Sequence, residues 1–166
     1  MKCTCTILAN PAVVDMAETA TTLDLFERIR ERGQPYWWLY AARCTSCGTN
    51  WLVAQEERQN DVIVLRRLAP AELEGIVSRD QWPADFDHYE TLLRLGRAAG
   101  HTVRWADPID DSSIQWTMAD LARERPGISV AELAELLDLD KGTAAIIADK
   151  ARIAHGVSIT DDKSWP

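Results

Sequence analysis

The sequence predicts an α+β protein: an antiparallel sheet of about four strands packed by helices, closed by a C-terminal helical hairpin. Two features carry that prediction. Between Pro35 and Leu68, β-prone runs are separated by short polar connections, and from Pro70 onward the apolar residues recur at helical spacing behind capping signals.

Lys2 to Leu8 is rich in β-branched and small residues and reads as a strand, broken by Asn10-Pro11. Leu23 to Arg32 places Leu25, Phe26 and Ile29 on one helical face with charges opposite, and Gly33 suits a C-cap. Pro35 to Cys44 contains Tyr36-Trp37-Trp38-Leu39-Tyr40 and reads as a strand. Trp51–Glu56 and Val62–Leu68 flank a polar loop as a hairpin, so three strands should form a meander.

Pro70 opens a helix with Leu73, Ile76 and Val77 inward. Asp85 is placed to cap a helix running to Ala99, with Phe86, Tyr89, Leu92 and Leu93 inward. Thr102 to Trp105 suits a short strand, and Asp107 to Ser113 an acidic loop. A helix follows Thr117 through Arg125 and stops at Pro126-Gly127. Ser129-Val130-Ala131-Glu132 is a capping-box pattern, because each side chain can satisfy a free backbone donor, and a last helix spans Asp140 to Ala154. The division expected is residues 1–115 as the α+β domain with the cysteines and 116–166 as a helical appendage packed on it.

The chain has 166 residues, enough for a core without cysteine staples. No stretch approaches the roughly 20 apolar residues of a membrane span, and Lys2 to Ala9 is too weakly basic and too short for a secretory leader. The expected compartment is the cytoplasm, where thiols stay reduced. Net charge is -8, which disfavours a phosphate backbone as ligand and favours a basic protein.

Cys44-Thr45-Ser46-Cys47-Gly48 is the sharpest local motif. Two thiols at this spacing can grip one zinc ion, with Gly48 allowing the tight turn. Tetrahedral structural zinc needs four ligands, and Cys3 and Cys5 supply the remaining pair if their segment lies beside the turn. Four thiolates leave no open position, so such a zinc would be structural. A metal-free pair or disulfide, and plain core cysteines, remain alternatives.

Val130 to Ala151 resembles the helix-turn-helix of bacterial regulators. Leu133, Ala134 and Leu137 lie in its first helix, Leu139 in the turn, and Ala144 and Ile147 at inward sites of the second. Asp138 stands where that turn usually has Gly. Lys141, Lys150 and Arg152 are opposed by Asp140 and Asp149, which weighs against reading DNA. His88, His101 and His155 show no metal-ligand spacing, and there is no phosphate loop or nucleophile elbow. Glu56-Glu57 is the one carboxylate pair at a strand end, more often solvated than catalytic. No enzymatic activity is expected.

Asp80, Trp82, Asp85 and Asp87 surround one helix start, while Asp107, Asp110 and Asp111 form a loop flanked by Trp105 and Trp116. Aromatic anchors among carboxylates suit a basic protein surface. The stretch Trp51 to Asp61, preceded by Cys44 to Gly48 and followed by Trp82 to Glu90, resembles immunity proteins of contact-dependent inhibition and other polymorphic toxin systems. The resemblance implies a protein that neutralises one cognate toxin domain, commonly a basic nuclease, by covering its active site. The alternative is a zinc-ribbon-containing transcriptional regulator using its C-terminal helix-turn-helix.

Overall fold

The computed structural model describes residues 3–18, 23–59, 61–101 and 107–161. One antiparallel sheet holds five strands: β1 (Ala12–Asp15), β2 (Phe26–Glu31), β3 (Leu39–Cys44), β4 (Asn50–Glu56) and β5 (Val62–Arg67). Their spatial order is β1-β5-β4-β3-β2. The helices are α1 (Pro70–Arg79), α2 (Tyr89–Ala98), α3 (Ser112–Glu124), α4 (Val130–Leu136) and α5 (Lys141–His155). The α+β class holds, with one strand more than expected.

The β3-β4-β5 meander forms as predicted. Both faces of these strands are covered, which is why their sequences are almost continuously apolar. Leu39, Ala41, Leu52, Ala54 and Val64 face the helices. Their neighbours Tyr40, Ala42, Trp51, Val53, Ile63 and Leu65 face the N-terminal segment and Phe26.

Two N-terminal elements differ from expectation. Cys3 to Leu8 is a turn rather than a strand: the amides of Ile7 and Leu8 both donate to the Thr4 carbonyl, at 3.0 and 3.2 Å. The first strand begins after Pro11, where Ala12 to Asp15 pairs with Val62 to Leu65. The expected helix over Leu23–Arg32 is the edge strand β2. Its pairing slips between Arg28 and Arg30, leaving Ile29 as an extra residue. That bulge brings Phe26 and Ile29 inward at a spacing of three, which imitates a helical face.

Aromatic residues 36–38 precede β3 instead of belonging to it. Proline opens α1 as expected, and the Glu72 carboxylate reaches back to the Ala69 amide at 2.7 Å. The expected helix from Asp85 splits into a 3-10 turn, Ala84–Phe86, and α2, so Asp85 caps no α-helix. Helix α3 starts five residues before the expected Thr117, because Asp111 caps it by accepting from the Ser113 amide at 2.8 Å. The expected strand Thr102–Trp105 lies outside the described residues.

The capping box of α4 is present, with Ser129 accepting from the Glu132 amide and Glu132 from the Ser129 amide. Asp140 and Gly156 bracket α5. Residue 115 falls inside α3, and one apolar cluster runs from Leu52 and Val64 of the sheet to Leu133, Ile147 and Ala151 of the tail. No helix among the described residues is long and apolar enough to cross a membrane.

Candidate metal centre and surrounding surfaces

Four sulfurs converge at one end of the sheet. The Sγ atoms of Cys3, Cys5, Cys44 and Cys47 all lie within 4.8 Å of one another. Zn–S bonds of about 2.3 Å in a tetrahedron set sulfurs about 3.8 Å apart, so sub-ångström shifts close this set on an ion. The four cysteines are therefore close enough to bind a metal, and none is in a disulfide.

Each half of the site is held by backbone bonds. Cys44 ends β3, and its amide donates to the Thr49 carbonyl at 2.9 Å while the Gly48 amide returns to the Cys44 carbonyl at 2.8 Å. Gly48 sits at φ 74°, a conformation that suits only glycine there. The Thr45 amide donates to the Leu25 carbonyl at 2.7 Å, tying the knuckle to the segment before β2. On the other side, Arg67 at the end of β5 donates to the carbonyls of Cys5 and Leu8 at 2.8 and 2.7 Å. Arg67 thus holds the N-terminal turn against the sheet. It also lies over the Trp51 ring, which stacks on Phe26. Thiol convergence comes from this clamp, and not from the two-residue alternation of a strand.

The thiols are unequal. Burial pushes Cys5 up to about 12, opposed by the indole of Trp51. That indole N–H is buried and has no nitrogen or oxygen partner among the described residues. A metal-bound Cys5 thiolate would give it an acceptor, so the orphaned donor fits an ion at this place. Exposed Cys47 is drawn down to about 6, first by the Thr49 hydroxyl 3.1 Å from its sulfur, then by the Thr49 amide and Cys3. A dication would hold all four as thiolates and fill its own tetrahedron with them.

Most of the described carboxylates and indoles singled out in the sequence have separate partners within the chain. Asp80 pairs with Arg30 at 3.1 Å and accepts from the Trp82 indole at 3.0 Å. Trp82 is half-buried against the core. Asp85 pairs with Arg66 at 3.1 Å, and Asp87 is held by Arg32. Asp110 lies 3.4 Å from Lys150, while Asp111 is a helix cap. Asp107 is exposed. Trp116 is 57% exposed and meets His155 edge-on. Trp105 lies outside the described residues. Most of the described set serves the chain's own architecture, and among its described members Asp87 and Trp116 both line a cleft.

That cleft was not legible as a site. An open cavity of about 730 Å³ separates the turn 34–38 from α3, with Tyr36, Trp37, Trp38 and Trp116 in its walls. Its floor rests on a buried polar network. Glu56, the buried member of the Glu56-Glu57 pair, accepts from the Arg58 and Gln59 amides at 3.1 and 2.9 Å and from the Tyr89 hydroxyl at 2.5 Å. Burial first, then Glu56, holds the Tyr89 phenol well above its ordinary value. Arg58 lies over the rings of Trp37 and Tyr89, at 5.1 and 5.5 Å, and pairs with Asp120 at 2.7 Å. Opposite, Glu124 accepts the Tyr89 and Glu90 amides at the start of α2, and burial raises its carboxyl. The available signal was three consecutive aromatics, which cannot all be buried on one strand face.

The tail folds as two helices, α4 and α5, joined by a short turn. Asp138 adopts φ 51°, the left-handed conformation that glycine usually supplies in such turns, and is held by Arg97. A single parallel bridge joins Ser129 to Thr160 after α5. The exposed face of α5 shows Ile146, Asp149 and Ile153, the last 87% exposed. Lys150 points to the Ile109 carbonyl and Asp110, and Arg152 to Asp149, Asp161 and the Ile159 carbonyl.

No protein-family model matches the chain, and no curated protein or solved structure matches it.

Proposed function

We propose that this chain is an immunity-type inhibitor that binds and occludes a basic toxin domain, most readily a nuclease, in the cytoplasm. A structural zinc at the four cysteines pins its N-terminal turn to the sheet. The observation that carries the reading is how the charges are used. Eleven of the described cations, Arg28, Arg30, Arg32, Arg58, Arg66, Arg94, Arg97, Arg123, Arg125, Lys150 and Arg152, are held by carboxylates of the same chain. Arg43, Arg67 and Arg79 bond to amide or carbonyl oxygens. Asp24, Glu27, Glu57, Asp61, Asp107 and Glu135 are exposed and make no ion pair among the described residues. What the molecule offers outward is negative, which steers a cationic partner and repels polyanions.

The test is co-expression with the product of a neighbouring gene that has a toxin-like domain. The expected result is a one-to-one complex on gel filtration, loss of toxin activity within it, and association that slows as salt rises. Failure of the two chains to associate would remove the inhibitor reading.

The left-handed Asp138 turn favours a second reading, a regulator with a zinc ribbon and a helix-turn-helix. Its discriminating outcome is a salt-dependent shift of labelled duplex DNA by the purified protein. Pairing of Lys150 with Asp110, and of Arg152 with Asp149 and Asp161, argues against that outcome.

A further inference from the structure

The aromatic cleft has three features that together describe an occupant. First, Trp116 leaves much of its ring open, 57% exposed, on the α3 side. Second, the charges in the walls are divided. Arg58 and Arg123 both converge on Asp120, at 2.7 and 2.9 Å, and Arg32 holds Asp87. Glu124 accepts two backbone amides and pairs with no Lys or Arg among the described residues. The Glu124 side of the cleft is therefore negative and the Arg123 side positive. Third, Trp38 lines the cleft while 94% buried, so its ring adds apolar wall beside Tyr36 and Trp37.

An arginine guanidinium pairs with a carboxylate, and the peptide beside it can lie against an indole. A bare inorganic cation has no apolar part to lay against an indole, and a phosphate-bearing ligand would meet Glu124. The volume of about 730 Å³ suits a short peptide segment and exceeds what one side chain fills.

We infer that the cleft between the 34–38 turn and α3 receives an arginine-bearing peptide segment of the partner, its guanidinium paired with Glu124 and its neighbouring backbone laid against Trp116. The partner's identity as a basic protein rests on the inhibitor reading. The cleft's chemistry does not.

The test uses acetyl-Gly-Arg-Gly-amide, followed by indole N–H resonances in NMR. The expected result is saturable movement of the Trp38 and Trp116 signals at millimolar peptide. The peptide carrying citrulline in place of arginine, which keeps the shape and loses the charge, should bind about fivefold to tenfold more weakly. Trp116→Ala, at an exposed position, should weaken the arginine peptide about fivefold. Glu124→Gln, which keeps an acceptor for the α2 amides, should erase the preference for arginine over citrulline. Absence of saturation, equal binding of the two peptides, or tighter binding of AMP than of the arginine peptide would each overturn the inference. Peptide binding without any toxin complex would sink the inhibitor reading and leave the cleft standing. A toxin complex indifferent to Trp116→Ala and Glu124→Gln would do the reverse.

Discussion

Cys47→Ser separates a metal staple from an idle cluster of thiols, because the Cys47 side chain is exposed. Without a metal, its sulfur contacts the Thr49 hydroxyl at 3.1 Å and Cys3. An exposed substitution of that kind shifts stability by about 0.5 kcal/mol or less. With a metal, the same residue helps close the chain between Cys5 and Cys44, a loop of about forty residues. Cross-linking a loop of that length restricts the unfolded chain by about 4 kcal/mol. For a chain of this size each kcal/mol moves Tm by about 2–4 °C, so full loss of the staple lowers it by roughly 8–16 °C. The assay is thermal unfolding in reducing buffer, with and without a chelator, alongside metal content per chain. Chelation of the parent protein and Cys47→Ser should lower Tm alike, and their effects should not add. A parent protein that carries no metal, with Tm unmoved by chelator and by the substitution, would refute the zinc argument. The four sulfurs would then be core residues that happen to meet.

Asp138→Ala should destabilise the tail by about 1–2 kcal/mol, because alanine is strained in the left-handed conformation and the Arg97 ion pair is lost. An unchanged urea midpoint would contradict that account of the turn. Glu132→Gln reports on the capping box through pH. The Ser129 amide first, and then Arg125, hold the Glu132 carboxyl below its ordinary 4.5. Its folded value is the depressed one, so its contribution is present above 4.5 and is lost as pH falls through that lower value. The stability gap between parent and variant should therefore be largest at neutral pH and shrink on acidification below 4.5. A gap that stays constant down that range would remove the linkage.

The parts of the fold that were legible are those where local chemistry and tertiary packing agree. The β4-β5 hairpin, proline at the start of α1 and the Ser129 capping box all follow from patterns a few residues long. Strand β2 was hidden because its bulge at Ile29 replaces a period of two with a spacing of three. Asp85 and Asp111 exchanged roles for a related reason. Both are sound caps by type, but Asp85 pairs with Arg66 while its helix starts after His88, and Asp111 caps α3. The cysteine set was readable by residue type, but the means of convergence was not. It depends on Arg67 reaching carbonyls near the N-terminus from sixty residues away. Of the aromatic cleft only the run of three aromatics was readable, since its opposite wall comes from α3.

The charged, bulged strand β2 bears on how any partner can be met. An intact sheet margin is a template on which a foreign chain can lay down an additional strand through main-chain bonds. Here the register slip at Ile29 interrupts that template, and Glu27, Arg28, Arg30 and Glu31 crowd it with side chains. The margin at β1 is only four residues long. β-augmentation is thereby disfavoured at both ends of the sheet. Recognition is left to side chains, whose identities can diverge one position at a time while the barrier to indiscriminate self-stacking stays in place.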